Sequence, residues 1–243
     1  MRTLIISDVH ANLTALNAVL GDASTFERVW CLGDIVGYGP DPNECIERIA
    51  DLPGLQCLKG NHDAAILGEI PVHAFNDDAR ASLHWLETEL NHENRQWLAG
   101  LDERLVMDGV TLAHGSPRNP VWEYIMGLGI ARENMRQFDT QLCLVGHTHL
   151  PGLFQMAGAT PLSTRYHAIV ENEPFTLEHK SILNPGSVGQ PRDRDPRSAY
   201  LIYEDEDDRW TFHRVAYDVK GVQERIFSAG LPGRHAHRLA EGW

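Results

Sequence analysis

The sequence predicts an α/β fold with two packed sheets, and three features support this prediction. Five short apolar runs, at residues 3–6, 29–32, 55–58, 110–113 and 142–145, are rich in β-branched or bulky side chains and are typical of strands buried on both faces. Segments with helical spacing of apolar residues lie between them, at 13–20 and 43–50. After residue 152 the pattern changes to alternating strands and turns, for which a second sheet packed on the first is the simplest arrangement.

Residues 74–100 interrupt this alternation with a different pattern. Ala79, Leu83, Leu86 and Leu90 are spaced at three or four residues, and a second apolar group follows at 97–98, which predicts two amphipathic helices. We interpret them as a helical insertion in a single domain that spans residues 1–243. The sequence does not predict whether this insertion closes over a site.

The C-terminal part is expected to contain short strands at 154, 168–170, 176–177, 200–203 and 210–215, and then a final helix at about 219–227. The acidic run from Glu204 to Asp208 lies between two of these strands, which predicts a solvated hairpin turn rather than a calcium site. The last dozen residues, 232–243, are expected to be loosely held.

Composition argues against several functional classes. A chain of 243 residues with 42% apolar residues can bury one full core. Its formal net charge of −13 argues against a surface whose main role is to attract nucleic acid or an acidic membrane. No apolar run approaches membrane-spanning length and residues 1–6 lead directly into a strand, so a cytoplasmic location is expected. The four cysteines are scattered without a CxxC pair and are expected to be reduced core residues.

The polar residues that follow the five apolar strands are the candidates for chemistry. Ligands of open α/β sheets collect outside the carboxyl ends of the strands, where these residues lie. They supply two carboxylates, one amide and five imidazoles, a set suited to manganese, iron, zinc or nickel rather than to calcium. In an extended segment Asp8 and His10 would point the same way and chelate one ion, and His147 and His149 repeat that spacing. Each pair is a weak signal alone; their joint occurrence after buried strands predicts a metal site.

Together these strand endings resemble the complete signature of the calcineurin-like metallophosphoesterases. The motifs are Asp8-Val9-His10, Gly33-Asp34, Gly60-Asn61-His62-Asp63, His114-Gly115 and Gly146-His147-Thr148-His149. The resemblance implies a four-layer α/β/β/α sandwich of two mixed sheets flanked by helices. It also implies two divalent metal ions, for which manganese is the expected choice and iron, zinc or nickel are alternatives. One metal would be bound by Asp8, His10, Asp34 and His149, and the other by Asp34, Asn61, His114 and His147, so that Asp34 bridges the pair.

The reaction implied by the resemblance is hydrolysis of a phosphate ester. In this family a hydroxide that bridges the two metals attacks phosphorus, and a pair of cations stabilises the charge of an in-line displacement. His62 would not be a ligand but would face the substrate and protonate the leaving alkoxide, a role that suits imidazole near neutral pH. The alternative is that His62 only donates a hydrogen bond to a phosphate oxygen. Asp63 either orients His62 or caps the helix that follows it, and we favour the cap.

The second motif narrows the expected substrate. It lacks the Gly-Asp-x-x-Asp-Arg extension of the protein serine/threonine phosphatases, because it continues from Asp34 as Ile35-Val36-Gly37-Tyr38. The third motif and residues 184–192 are similar to those of the small single-domain prokaryotic phosphodiesterases, which implies a phosphodiester of a small or nucleotide-like molecule. A phosphomonoesterase, a dinucleoside polyphosphate hydrolase and a noncatalytic scaffold on the same fold are the alternatives.

Two further residues are candidates for contact with the substrate. Tyr38 follows Asp34 by four positions and is suited to stacking or hydrogen bonding. Arg118 follows His114-Gly115 and is suited to pairing with a phosphate oxygen. Residues 184–189 are rich in turn formers, and we interpret them as a connecting turn rather than as an anion site. The sequence indicates neither a membrane partner nor an oligomeric state.

Overall fold

Two six-stranded sheets form the centre of the computed structural model, which describes residues 1–107 and 109–243. In the first sheet the strands lie in the order β3 (Leu55–Cys57), β2 (Arg28–Cys31), β1 (Arg2–Ile6), β11 (Ser198–Glu204), β12 (Arg209–Val215) and β9 (Pro174–Phe175). In the second sheet the order is β4 (Arg104–Met107), β5 (Val110–Ala113), β6 (Leu142–Leu144), β10 (Ser181–Asn184), β7 (Gly152–Met156) and β8 (Thr164–His167).

Both sheets are mixed. In the first, β1, β2 and β3 run parallel, and β11 pairs antiparallel with β1. In the second, β5, β6 and β10 run parallel, and β7 pairs antiparallel with β10. The five apolar runs found in the sequence are the parallel strands β1, β2, β3, β5 and β6. Their carboxyl ends carry the polar motifs.

The apolar runs are continuous because these strands are covered on both faces. In β1, Leu4 and Ile6 pack under helices on the outer face, whereas Ile5 packs between the two sheets with Trp30 and Leu201. A strand with only one buried face would alternate polar and apolar residues instead. The continuous pattern therefore follows from burial within a sandwich.

Helices cover the outer face of each sheet. The helices α1 (Leu13–Asp22) and α2 (Pro42–Ala50) bury residues such as Leu16 and Ile46 against the first sheet. Before the second sheet's strand β6 lies α6 (Leu128–Asn134), whose Ala131 packs with Cys143 and Ile182. The result is the four-layer α/β/β/α sandwich that the resemblance implied.

The segment 74–100 contains the two helices expected from its spacing. These are α4 (Asp77–Glu89) and α5 (His92–Ala99), and the side chains of Asn76 and Asn91 accept hydrogen bonds from their first turns. Ala79 and Leu83 of α4 pack in one cluster with Tyr38 and with Ala65 of α3 (Asn61–Ile66). Because Tyr38 and α3 belong to the second and third motifs, α4 borders the loops that carry them.

The C-terminal residues differ from the expectation. The predicted helix is present as α7 (Val219–Ser228), but residues 232–243 are not loosely held, because they form α8 (Gly233–Glu241) packed on α7. Ala236 and Leu239 bury their side chains against Val222 and Ile226. The prediction was wrong because α8 has few apolar residues and its buried face also includes His235, which is 2% exposed.

Three other expectations can be compared with the structure. Residues 204–208 connect β11 to β12, and Glu204 pairs with Arg209 across this hairpin, as predicted. All four cysteines are buried and free. Within the described residues, none of the helices combines the length and the apolar character that crossing a membrane requires.

Candidate metal centre

The predicted site residues converge at the carboxyl ends of β1, β2, β3, β5 and β6. Eight side chains lie there, each at most 3% exposed: Asp8, His10, Asp34, Asn61, His62, His114, His147 and His149. Burial of so many groups that bind protons or metals is costly unless they are paired with one another or with an ion. Their arrangement therefore makes this the candidate functional site.

One cluster contains Asp8, His10 and His149. The Nε2 atom of His149 lies 3.3 Å from Oδ1 of Asp8, and Nε2 of His10 lies 3.1 Å from Nε2 of His149. The same Nε2 of His10 is 3.6 Å from Oδ2 of Asp34. These donor atoms are close enough to bind one ion together.

A second cluster lies on the other side of Asp34. Its Oδ2 atom is 3.4 Å from Nε2 of His114, which is 3.1 Å from Oδ1 of Asn61 and 3.2 Å from Nδ1 of His147. One carboxylate oxygen of Asp34 thus contacts both clusters. This is the position that the resemblance implied for a bridging ligand.

Backbone carbonyls fix the ring nitrogens of the four clustered histidines. In each ring, the nitrogen that faces away from the cluster donates to a main-chain oxygen: His10 Nδ1 to Val36 at 3.1 Å, His114 Nδ1 to Leu32 at 2.9 Å, His147 Nε2 to Trp122 at 3.1 Å and His149 Nδ1 to Gln190 at 2.6 Å. In a neutral imidazole the other nitrogen then carries a lone pair and no proton. The four lone pairs point into the clusters.

This protonation pattern tests whether the residues fit metal ions. The two Nε2 atoms of His10 and His149 are 3.1 Å apart, yet neither can donate to the other when both Nδ1 atoms donate to carbonyls. When His114 is neutral, the same conflict exists between its Nε2 atom and Nδ1 of His147, which are 3.2 Å apart. A cation between the lone pairs resolves each conflict, and the mixture of imidazole, carboxylate and amide donors suits a transition metal. The residues fit the metals that the resemblance implied.

The pKa values of these groups show the same demand for positive charge. Burial raises the pKa of Asp8 to about 7. Burial also opposes ionisation of His114, but the carboxylate of Asp34 outweighs it and raises the pKa of His114 to about 9. For His10, His147 and His149, burial is the largest effect and lowers the pKa well below the usual value. Without metals, protons shared among the carboxylates and His114 supply the charge that cations supply in a metal site.

The loops that carry the site have a strained backbone. Five of the predicted ligands, Asp8, His10, Asp34, His147 and His149, have φ between 48° and 64°. The left-handed region is uncommon for residues other than glycine, asparagine and aspartate, and it is found at functional sites where the surrounding structure enforces it. The extended geometry expected for Asp8 and His10 is therefore wrong, although their side chains do reach the same cluster.

Two residues of the third motif hold the loops together. A Cβ atom on Gly60 would lie 2.1 Å from Oδ1 of Asp34, so only glycine permits this close approach. The carboxylate of Asp63 accepts from the backbone N–H groups of Gly60, Ile35 and Val36. Asp63 thus stabilises the start of α3, as we favoured, and also ties it to the loop after Asp34. In the described part of the chain it makes no hydrogen bond to His62.

His62 lies in an aromatic surround beside the first cluster. Its ring centroid is 4.4 Å from that of Tyr38, 5.0 Å from that of His10 and 5.1 Å from that of Phe75. Its Nδ1 atom is buried and has no hydrogen-bond partner among the described residues. Burial lowers the pKa of His62 to about 4. Tyr38 also contacts His10, at 4.6 Å between ring centroids, so the structure places this candidate substrate contact at the site.

Arg118 has a different environment from the one expected of a phosphate contact. Its guanidinium forms ion pairs with Glu123 and Glu133, the latter at 2.6 Å. These carboxylates already neutralise its charge. The contact between Arg118 and substrate stays a prediction, and its ion pairs favour a structural role.

Sequence reasoning missed two residues near the centre. The ring of Tyr124 stacks on that of His147 with 3.6 Å between centroids, and no motif marks Tyr124. The guanidinium carbon of Arg192 lies 5.8 Å from the Tyr38 ring centroid. Arg192 ends the stretch 184–192 that is similar to the prokaryotic phosphodiesterases, but the sequence analysis assigned it no role.

Comparisons with known proteins identify the family. The profile of the calcineurin-like phosphoesterase superfamily domain matches residues 1–208. A crystal structure of a metallophosphoesterase from Sphaerobacter thermophilus is 44% identical, covers 100% of this chain and 99% of its own, and superposes with a TM-score of 0.91. An uncharacterised protein of Methanocaldococcus jannaschii is 36% identical over 98% of this chain and 97% of its own length. A symmetrical bis(5'-nucleosyl)-tetraphosphatase of Pectobacterium atrosepticum is 30% identical over 55% of this chain and 49% of its own length. With its two donor clusters and this similarity along its length, the chain belongs to the calcineurin-like phosphoesterase superfamily, a family of enzymes that depend on two metal ions.

Proposed function

We propose that this chain hydrolyses a phosphodiester of a small or nucleotide-like molecule and that it requires two divalent metal ions, with manganese as the expected pair. Seven side chains would hold these ions: Asp8, His10, Asp34, Asn61, His114, His147 and His149. The observation that carries this proposal is the pair of facing imidazole lone pairs, 3.1 Å apart between His10 and His149 and 3.2 Å apart between His114 and His147. With all four imidazoles neutral, these two conflicts, which share one oxygen of Asp34, favour positive charge at two positions.

When bound, the two ions supply a nucleophile from water and positive charge for the phosphoryl oxygens. The residues of the chain then have distinct roles. Asp34 would take part in holding both ions, because both clusters contact its Oδ2 atom. The four backbone carbonyls keep each imidazole in the tautomer that presents a lone pair.

His62 is proposed to protonate the leaving oxygen. Its Nδ1 atom lies beside Gly37, where a Cβ atom would come within 2.5 Å of it, so only glycine leaves room for the ring at this position. Burial disfavours its charged form, and a phosphate group beside the ring compensates because an opposite charge favours protonation. Phe75 and Tyr38 limit the access of water to this imidazole.

Two features support a diester over a monoester. Among the described residues, no carboxylate is hydrogen-bonded to His62 in the way that the second aspartate supports the catalytic histidine of the protein phosphatases, since Asp63 is engaged with backbone N–H groups. The rings of Phe75 and Trp122, 5.1 Å apart, add an apolar surface near His62 that suits the organic substituent of a diester.

A dinucleoside polyphosphate hydrolase is the second candidate. The similarity to a bis(5'-nucleosyl)-tetraphosphatase favours it, and it needs the same metal centre. The two candidates differ in the groups that contact the substrate beyond the reacting phosphate.

The test compares hydrolysis of bis-(p-nitrophenyl) phosphate with that of p-nitrophenyl phosphate in the presence of manganese. We expect faster turnover of the diester, and much faster turnover of the monoester would contradict the diesterase proposal. Asp34→Asn should reduce the metal content measured by mass spectrometry and lower kcat/KM at least about a hundredfold. Asp77→Asn, on the exposed N-terminus of α4, is the control. Full occupancy of two ions in Asp34→Asn would contradict the bridging role.

A further inference from the structure

We propose that Arg192 and Arg238 form a binding site for a second phosphate group of the substrate, next to the metal centre. This inference rests on the proposed function, because it assigns the substrate to compounds with at least two linked phosphates. It distinguishes a polyphosphate chain from a simple diester.

Arg192 lies on the side of the centre formed by the first cluster. Its guanidinium carbon is 5.8 Å from the ring centroid of Tyr38, and Tyr38 contacts both His10 and His62. The backbone N–H of Arg192 donates to the carbonyl of His149, a residue of the first cluster, at 3.4 Å. One Nη atom donates to the side-chain oxygen of Gln190 at 2.8 Å, and its Nε atom is buried without a hydrogen-bond partner in the described part of the chain.

Arg238 lies on α8, the helix that borders Tyr38 through His235. His235, one turn earlier on this helix, lies 4.7 Å from the Tyr38 ring between centroids. The two segments are also joined directly, because the backbone N–H of Arg194 donates to the carbonyl of Gly242 at 2.7 Å. The guanidinium carbon of Arg238 lies 5.2 Å from the ring centroid of Trp243. The Nε atom of Arg238 is also buried and has no hydrogen-bond partner among the described residues.

In the described part of the chain, the two guanidinium groups lack a carboxylate partner, whereas several other arginines of this acidic protein have one. Arg197, Arg209 and Arg214 each form ion pairs with carboxylates. Within residues 1–107 and 109–243, neither Arg192 nor Arg238 makes such a pair. Burial lowers the pKa of Arg238, and the positive charges of Arg192 and Arg234 lower it further, as expected for like charges that lie near one another.

An anion between these groups resolves all three features. It removes the repulsion, supplies acceptors for the buried Nε atoms and replaces the missing carboxylates. Because Arg192 also contacts Tyr38 beside the metal centre, the anion has to be attached to, or lie next to, the phosphate that reacts. A diphosphate or polyphosphate chain has this chemistry, with bridging oxygens that keep the two phosphates close.

The probe is methylenediphosphonate, whose P–C–P linkage is not hydrolysed, compared with methylphosphonate. Binding to the manganese-loaded protein is measured by calorimetry and by competition with bis-(p-nitrophenyl) phosphate. We expect the wild type to prefer the diphosphonate, and Arg192→Gln or Arg238→Gln to reduce this preference roughly tenfold, as expected for loss of a charge-assisted hydrogen bond. Arg238→Lys keeps the charge but not the planar fork, and should retain part of the preference.

The control is Arg136→Gln, which removes the charge of an exposed arginine after α6. It should leave the preference unchanged, and thermal unfolding of each variant shows whether the fold is intact. A diphosphonate preference that survives in the double variant Arg192→Gln/Arg238→Gln belongs to the metals alone and would overturn the subsite.

The two proposals can fail separately. If esters are hydrolysed but the arginine variants keep the full preference, the subsite is wrong and the phosphoesterase proposal stands. If no ester is hydrolysed but calorimetry shows the arginine-dependent preference, the subsite stands and the proposed function is wrong.

Discussion

Individual side chains at the centre act through the nitrogen or oxygen atom that they present. His62 differs from the other four imidazoles because no backbone carbonyl accepts from its Nδ1 atom in the described chain. A ring whose protonation is not fixed by a carbonyl is free to exchange a proton with a substrate. This difference separates a proposed acid from the proposed ligands that lie within a few ångströms of it.

His62→Ala should therefore affect substrates unequally. Loss of a general acid should cost little with p-nitrophenolate as the leaving group, because this anion is stable without a proton. With an alkyl alcohol as the leaving group the loss should be about a hundredfold or more in kcat. The measurement is kcat for two manganese-dependent reactions that differ only in the leaving group. Equal losses for both would show that His62 binds phosphate and does not protonate the leaving group.

The motifs predicted the strands that carry them, because a buried strand and a polar ending are both local signals. The tautomers of His10, His114, His147 and His149 could not be predicted, since the carbonyls that set them are distant in sequence or unmarked by residue type. Arg192 was visible at the end of residues 184–192, but its role depends on α8, which the sequence pattern did not reveal.

Residues 181–184 were likewise not predicted as β10, although this strand lies between β6 and β7. A four-residue segment that begins with serine gives little periodicity.

The loop between β3 and α3 has no room for a side chain at Gly60. A Cβ atom on Gly60 would clash with the carboxylate of Asp34, and it would also lie 2.3 Å from the backbone nitrogen of Asp34. Gly60→Ala should displace Asp34 and reduce both metal content and kcat/KM at least about tenfold. Gly21→Ala in α1 is the matched control, because nothing lies within 4 Å of its Cβ position and alanine favours a helix. Retention of full metal content in Gly60→Ala would show that the two loops can separate without loss of the site.

Helix α8 is held on α4 by a buried histidine with a distinct dependence on pH. Nε2 of His235 lies 2.7 Å from Oγ of Ser82 and 3.2 Å from the carbonyl oxygen of Asp78. Burial lowers the pKa of His235 to about 4. Two smaller effects come from nearby charges: Asp78 raises this pKa, and Arg238 and Arg192 lower it. Since the unfolded chain keeps the ordinary value of about 6.5, it binds the proton first. The stability contributed by neutral His235 is complete above this value and is lost as the pH falls towards 4.

His235→Gln should therefore flatten the loss of stability in acid. Between pH 7 and pH 5 the wild type should lose more free energy of unfolding than the variant, by up to about 2 kcal/mol. Urea unfolding at both pH values, with a chelator present throughout so that metal loss does not differ, measures this quantity. His84→Gln, at an exposed position of α4, is the control. Equal slopes for wild type and His235→Gln would mean that folding does not lower the pKa of His235.

The metal centre connects the two halves of the whole molecule. Asp8, His10, Asp34 and Asn61 follow strands of the first sheet, whereas His114, His147 and His149 follow strands of the second. Each cluster takes residues from both sheets, so a bound ion bridges them. The formal net charge of −13 increases the expected stabilisation by cations, because buried carboxylates in an acidic chain repel one another without them.

Metal removal should therefore destabilise the entire fold as well as abolish activity. Ions that bind only the folded chain stabilise it by about 2.7 kcal/mol at a hundred times Kd. For a chain of 150–250 residues, 1 kcal/mol corresponds to about 2–4 °C in Tm, so manganese should raise Tm by roughly 5–10 °C over the chelated protein. Calorimetric scans of wild type and Asp34→Asn, each with manganese and with chelator, separate binding at the centre from general ionic effects. The increase should vanish in Asp34→Asn, and an unchanged Tm in the wild type would mean that the facing imidazoles and carboxylates are satisfied by protons alone.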